Sequence, residues 1–109
     1  MRKFPDEVRR EAGHALHLAQ KGTKHQNAKP LIGFGGAGVL ELVDDFDGST
    51  FRTVYTVKFA DAVYVLHAFQ KKSHKGIATP KRELELVRER LRRAQQHHAD
   101  LVNAKRGKP

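Results

Sequence analysis

Val39-Leu40-Glu41-Leu42-Val43-Asp44-Asp45-Phe46-Asp47-Gly48-Ser49-Thr50-Phe51-Arg52-Thr53-Val54-Tyr55-Thr56-Val57-Lys58-Phe59 reads as two β-strands folded back on each other. The first strand runs from Val39 to Phe46 and the second from Thr50 to Phe59, with Asp47-Gly48-Ser49 as the hairpin connection. Along the second strand Phe51, Thr53, Tyr55, Val57 and Phe59 share one face, and Arg52, Val54, Thr56 and Lys58 share the other. Ala60-Asp61 is a tighter turn into a third strand, Ala62 to Phe69, the most apolar of the three. Its apolar run predicts a central position, covered on part of both faces.

Upstream, Val8, Ala12, Ala15, Leu16 and Ala19 recur at spacings of three and four, which predicts a helix from Pro5 to about Lys21. Pro5 suits the first helical position, Asp6 and Glu7 suit the positive end of the helix dipole, and Gly22 supplies a stop. Gly13 costs about 1 kcal/mol against alanine in a helix, a cost that close packing on the sheet would offset. Thr23 to Lys29 reads as a polar connection. Downstream, Thr79 and Pro80 open a second helix whose stripe is Leu84, Val87, Leu91 and Ala94, with Glu89 placed to support Arg93 on the exposed side. The expected architecture is α+β: a small three-stranded antiparallel sheet with both helices packed on one face. The other face is left partly open, with Arg52 and Lys58 pointing to it.

The chain has 109 residues, enough for one domain, expected over residues 1–98, with residues 99–109 as a fraying basic tail. Hydrophobic residues make up 39%, so the core should be thin, yet they fall in periodic runs unlike those of a disordered chain. No apolar run is long enough to span a membrane, and charged residues follow Phe4-Pro5 directly where a secretory signal would be apolar. Cysteine is absent, which removes disulfide and thiolate chemistry and fits a reducing, cytoplasmic setting. Twenty-one Lys and Arg against twelve Asp and Glu give a net charge of +9, suited to a polyanionic partner such as RNA.

Two motifs carry little chemistry. Gly33-Phe34-Gly35-Gly36-Ala37-Gly38 precedes a strand, whereas a dinucleotide or phosphate loop follows one and opens a helix. His14 and His17, and His97 with His98, lack a third ligand at metal spacing, so no metal or other cofactor is expected; His14 is read as solvent-facing and His25 as a loop residue. The stronger feature is basic: Arg52 on a strand, then His67, Lys71, Lys72, His74 and Lys75 at and after the third strand. Arginine binds phosphate through a two-pronged fork, lysine supplies a point charge, and histidine exchanges protons near neutral pH. Cleaving RNA without a metal needs those groups. The plainer reading is a solvated basic loop for Lys71, Lys72 and Lys75 and a core histidine for His67.

The run Val63-Tyr64-Val65-Leu66-His67-Ala68-Phe69-Gln70-Lys71-Lys72-Ser73, continuing through Lys75-Gly76 to Thr79-Pro80, resembles the signature of phage-derived HigB-like toxins of the RelE/ParE superfamily. Phe4-Pro5, Lys29-Pro30-Leu31, Gly38-Val39-Leu40-Glu41-Leu42 and Phe51-Arg52-Thr53-Val54-Tyr55 resemble that family's preceding blocks in the same order. The resemblance implies a small antiparallel sheet with packed helices. It also implies a toxin of a type II toxin–antitoxin pair, whose partner often carries a helix-turn-helix domain. Many such toxins cut messenger RNA on the ribosome without a metal; ParE-type relatives inhibit DNA gyrase. By this resemblance Arg52 is the strand arginine that stabilises phosphate charge, and Lys71 with Lys72 is the basic pair. Lys75 extends that patch, and His67 occupies a recurring position to which we assign proton transfer.

Two departures shape the expectation. Only Met1-Arg2-Lys3 precede Phe4, so the family's usual first strand is expected to be missing and a sheet edge left uncovered. The C-terminal aromatic or histidine that assists cleavage in some relatives has no clear match, because His97 and His98 lie at the far end of a helix. The leading expectation is a ribosome-dependent, metal-independent messenger RNA endoribonuclease with Arg52, His67, Lys71 and Lys72 catalytic. RNA would be held by Arg52, Lys58, Lys71, Lys72, His74 and Lys75. The alternatives are a non-catalytic basic module that binds antitoxin, RNA or ribosome, and a ParE-like gyrase inhibitor.

Overall fold

Val8, Ala12, Ala15 and Ala19 lie on one side of helix α1 (Asp6–Gln20), and all four are buried. The computed structural model describes residues 4–31, 33–34, 38–57, 62–71 and 79–106. Residues 1–77 form one unit, holding α1 and the sheet, and residues 78–109 a second, holding the C-terminal helix. Pro5 stands one position ahead of the first helical residue and its carbonyl accepts the first helical hydrogen bond, from the Arg9 N–H at 2.9 Å. The far end closes as the glycine predicts. Gly22 takes a left-handed φ of 84°, and its N–H bonds the Ala19 carbonyl while the Thr23 N–H reaches back to Leu18. Gly13 does not pack on the sheet: it is exposed, and a Cβ there would meet nothing within 4 Å.

The sheet has four strands, not three. In order they are β1 (Ala28–Pro30), β2 (Val39–Phe46), β3 (Ser49–Thr56) and β4 (Val65–Lys71), each antiparallel to its neighbours. The expectation of a three-stranded sheet with an uncovered edge is therefore overturned. β1 covers the outer edge of β2, pairing Ala28 with Leu42 and Pro30 with Leu40. Three residues containing a proline show no alternation in sequence, yet they supply backbone partners to a buried strand that would otherwise lack them. β1 in turn is closed off on its own side. The Ala28 N–H bonds the His25 carbonyl at 3.0 Å, the Ala28 carbonyl accepts Lys24 Nζ at 2.7 Å, and Pro30 has no N–H.

The hairpin forms as read, with a shorter loop. Asp47 and Gly48 both take positive φ, 49° and 84°, the geometry of a two-residue turn whose twist matches the strands, and Phe46 faces Ser49 directly. β4 starts later than expected and runs on to Lys71. One extra residue intrudes between its pairings, since Val54 faces His67 but Tyr55 faces Val65. Nor is β4 central. It pairs only with β3 among the described strands, and Val65 is 47% exposed. β3 is the buried strand, with every residue from Thr50 to Thr56 withdrawn from solvent on both faces. The expected open face is thus closed along β3. Its polar residues misled the sequence reading, because they are buried with partners inside the fold.

One face of the sheet meets α1. Leu40, Leu42, Tyr55 and Ala28 pack with Ala12, Ala15 and Ala19, and Phe4 sets its ring edge on Phe51 at 4.9 Å. Small residues on α1 let its backbone approach closely, so a short helix buries most of what it has. α2 spans Lys81–Arg106, past His98, where the apolar stripe of the sequence thins. The Pro80 carbonyl accepts its first bond, from the Leu84 N–H, and its least exposed face follows Leu84, Val87, Leu91 and Ala94. Glu89 pairs with Arg92 and, at 3.4 Å, with Arg93.

Candidate functional site

Strand register decides which predicted residues meet. Val43, Arg52 and Phe69 form one row across β2, β3 and β4; Glu41, Val54 and His67 form the row on one side, and Asp45, Thr50 and Lys71 the row on the other. Directly paired residues share a face, and so do residues two apart on one strand. Arg52, His67 and Lys71 therefore lie on one face, the one opposite α1. Arg52 is diagonal to both, at a spacing of about 7–8 Å between Cα atoms for such neighbours. Lys72, His74, Lys75 and Lys58 lie outside the described residues.

The surroundings of Arg52 were not read from sequence. Its side chain is 4% exposed and Nη1 points at the Glu41 carboxylate, 3.4 Å from one oxygen and 3.5 Å from the other; Glu41 is 5% exposed. Two opposite charges buried together offset each other's desolvation, which neither could bear alone. The guanidinium thus faces an internal carboxylate on the face where a substrate phosphate was expected. Glu41 is the residue that sequence reasoning missed. A signal existed: a lone acid within Val39-Leu40-Glu41-Leu42-Val43 needs a counter-ion, and a two-residue turn at Asp47-Gly48 sets Glu41 diagonal to Arg52.

His67 and Lys71 are half-buried. The His67 ring stacks on Phe69, with centroids 5.1 Å apart and planes 25° from parallel, so the ring direction is set by an aromatic neighbour on its own strand. Thr50 donates its hydroxyl proton to Asp45 at 2.8 Å in the same row as Lys71. This face carries a proton-exchanging imidazole and an ammonium in the rows on either side of the guanidinium, with Phe69 between them and about 13 Å between their Cα atoms along β4.

A second polar group sits beside α1. Although His25 is in a loop, as read, it is buried. The Asn27 N–H donates to His25 Nδ1 at 3.0 Å, so the ring hydrogen lies on Nε2 and is donated to Glu11 at 2.7 Å. The His14 ring, on an exposed residue, meets His25 edge-on at 5.4 Å. Burial pushes the nearby Asp44 carboxyl above the usual carboxylate range, helped by Glu11 and Asp45 and opposed by His25. Burial likewise raises the Tyr55 phenol, whose Oη has no hydrogen-bond partner among the described residues. Among the described residues no group of three or more His, Cys, Asp or Glu is placed to hold a metal ion. No helix among them is long and apolar enough to cross a membrane.

No curated protein and no solved structure matches the chain. A family match does cover residues 1–92, and the protein belongs to the family described as phage derived protein Gp49-like (DUF891).

Proposed function

We propose that this protein is the toxin of a type II toxin–antitoxin pair and acts as a ribosome-dependent, metal-independent messenger RNA endoribonuclease. The observation that carries the reading is the register that sets Arg52, His67 and Lys71 on one face of adjacent strands. The ordered resemblance to HigB-like toxins, membership of a phage-derived family and a net charge of +9 support it.

In this reaction His67 or Lys71 takes the proton of a ribose 2′-hydroxyl. The 2′-oxygen attacks the adjacent phosphorus, and the 5′-oxygen leaves with a proton. The products are a 2′,3′-cyclic phosphate and a free 5′-hydroxyl. Lys71 neutralises the charge that develops on phosphate, and the ribosome supplies the substrate geometry that a small domain lacks. Arg52 contributes its field from within the sheet and contacts phosphate only after exchanging Glu41 for it. The partners on this reading are messenger RNA, the ribosome and a cognate antitoxin, with a helix-turn-helix domain the expected type, all in the cytoplasm.

The buried Glu41–Arg52 pair favours one other reading, a non-catalytic member that binds RNA or ribosome through the same face. Mapping 5′-hydroxyl ends of messages on translating ribosomes separates the two. Site-specific cuts that need the ribosome and vanish in folded Lys71→Ala and His67→Ala establish the nuclease. Folded native protein that leaves messages intact yet binds RNA in a salt-sensitive way establishes the binder.

A further inference from the structure

His25 is 4% exposed, and both of its ring nitrogens are engaged. Nε2–H donates to Glu11 on α1 at 2.7 Å, and Nδ1 accepts the Asn27 N–H at 3.0 Å. The backbone closes the same turn, since the Ala28 N–H bonds the His25 carbonyl at 3.0 Å, and the turn leads directly into β1. β1 is three residues long, contains a proline, and is followed by the Leu31 N–H on the Val39 carbonyl of β2 at 2.9 Å. A neutral ring is therefore built into the entry of the strand that covers the edge of β2. A further proton on this ring has one place to go, Nδ1, where it points at the Asn27 N–H. Two donors then face each other and that contact is lost, whereas the bond to Glu11 becomes charge-assisted.

We propose that His25 is a proton-operated latch: taking up a further proton opens the turn from His25 to Ala28 and loosens β1 on β2, while α1 stays in place. Three elements bring charge to the ring. From α1 come Glu11 and the exposed His14, whose ring meets His25 edge-on at 5.4 Å. From β2 comes Asp44, which interacts with His25 and also with Glu7, Glu11 and Asp45. From the loop comes Lys24, whose ammonium is turned to the Ala28 carbonyl at 2.7 Å. The carboxylates draw a proton onto the ring. Burial, the Asn27 N–H, Lys24 and a charged His14 resist it. Glu11 and Asp44 thus let the ring charge within the folded protein, and the cost falls on the turn, where Nδ1 loses its donor. The inference stands apart from the RNA-directed reading and uses none of its residues.

The test is a pH series on the full-length protein. Nitrogen NMR follows the His25 and His14 rings, and hydrogen exchange, corrected for its intrinsic pH dependence, follows the backbone amides. As the His25 ring becomes doubly protonated, the Asn27, Ala28 and Leu31 amides should together lose protection by about tenfold or more, while Ala15 and Ala19 on α1 keep theirs. Glu11→Gln should move the opening to lower pH, because the amide oxygen still accepts the Nε2 hydrogen but attracts the ring's charge less. A ring that takes up its proton with no change at Asn27, or an opening that tracks the His14 ring instead, would overturn the proposal. So would loss confined to Asn27 and Ala28 with Leu31 unchanged, or a Glu11→Gln variant that opens at the native pH. A His25 ring that stays neutral until the whole protein unfolds in acid would overturn it too.

Discussion

Arg52→Ala is the substitution a nuclease hypothesis would reach for first, and the structure predicts that its main effect is on folding. The Arg52 and Glu41 side chains are 4% and 5% exposed and 3.4 Å apart. At an effective dielectric of about 20 their gross attraction is roughly 5 kcal/mol, most of it offset by the cost of taking both from water. Removing the arginine leaves the Glu41 carboxylate buried without that counter-charge, which costs about 3–5 kcal/mol. A chain of this size would lose roughly 10–20 °C of Tm. Glu41→Gln should cost a similar amount, because it removes the buried carboxylate that Nη1 faces. The double variant Glu41→Leu with Arg52→Met removes both charges and conserves apolar bulk, and should return to within about 2 kcal/mol of native. Thermal and urea unfolding of the native protein, Glu41→Leu, Arg52→Met and that double variant forms a double-mutant cycle with a large favourable coupling. If Arg52→Ala costs less than about 1 kcal/mol, or the double variant costs the sum of the singles, the pair is not the buried counter-ion unit argued above. Cleavage lost in Arg52→Ala alone therefore says little about chemistry until folding is measured.

Gly13→Ala should raise stability by about 0.5–1 kcal/mol in urea unfolding, since the site is helical, exposed and open to a methyl group. Asp44→Asn should raise Tm near neutral pH. Burial holds the folded Asp44 pKa above its unfolded value of 3.8, so its charge destabilises the fold at pH above the folded pKa; a Tm–pH series should show the gain shrink as pH falls through that value and vanish below the unfolded one. His25→Ala removes hydrogen bonds at both ring nitrogens and opens space at a position 4% exposed, so it should cost about 2–4 kcal/mol. Glu11→Gln, at a carboxylate 46% exposed, should cost less than about 1 kcal/mol.

Local patterns were legible wherever one physical cause acted alone. The three-and-four spacing of Val8, Ala12, Ala15 and Ala19 predicts the buried side of α1, and Gly22 ends it because only glycine readily takes the left-handed turn. Asp47-Gly48 predicts the hairpin for the same reason. The strand period predicts that Arg52 and Val54 share a face, and the basic, strand-borne character of the candidate site follows from composition and spacing. β1 was illegible, because three residues have no period and form a strand only in answer to the exposed edge of β2. The order of burial was misread too: apolar β4 lies at the edge and threonine-rich β3 at the centre.

The sequence by itself determined the elements that depend on neighbours a few residues away: helix faces, the tight turn, the alternation of β3 and the excess of positive charge. Only the tertiary structure decided what depends on residues far apart in the chain. It brought Glu41 to Arg52, His25 to Glu11, and Arg52, His67 and Lys71 onto one face. A charge reads as exposed until its counter-ion is placed beside it, and that placement comes from strand register and packing rather than from any local pattern.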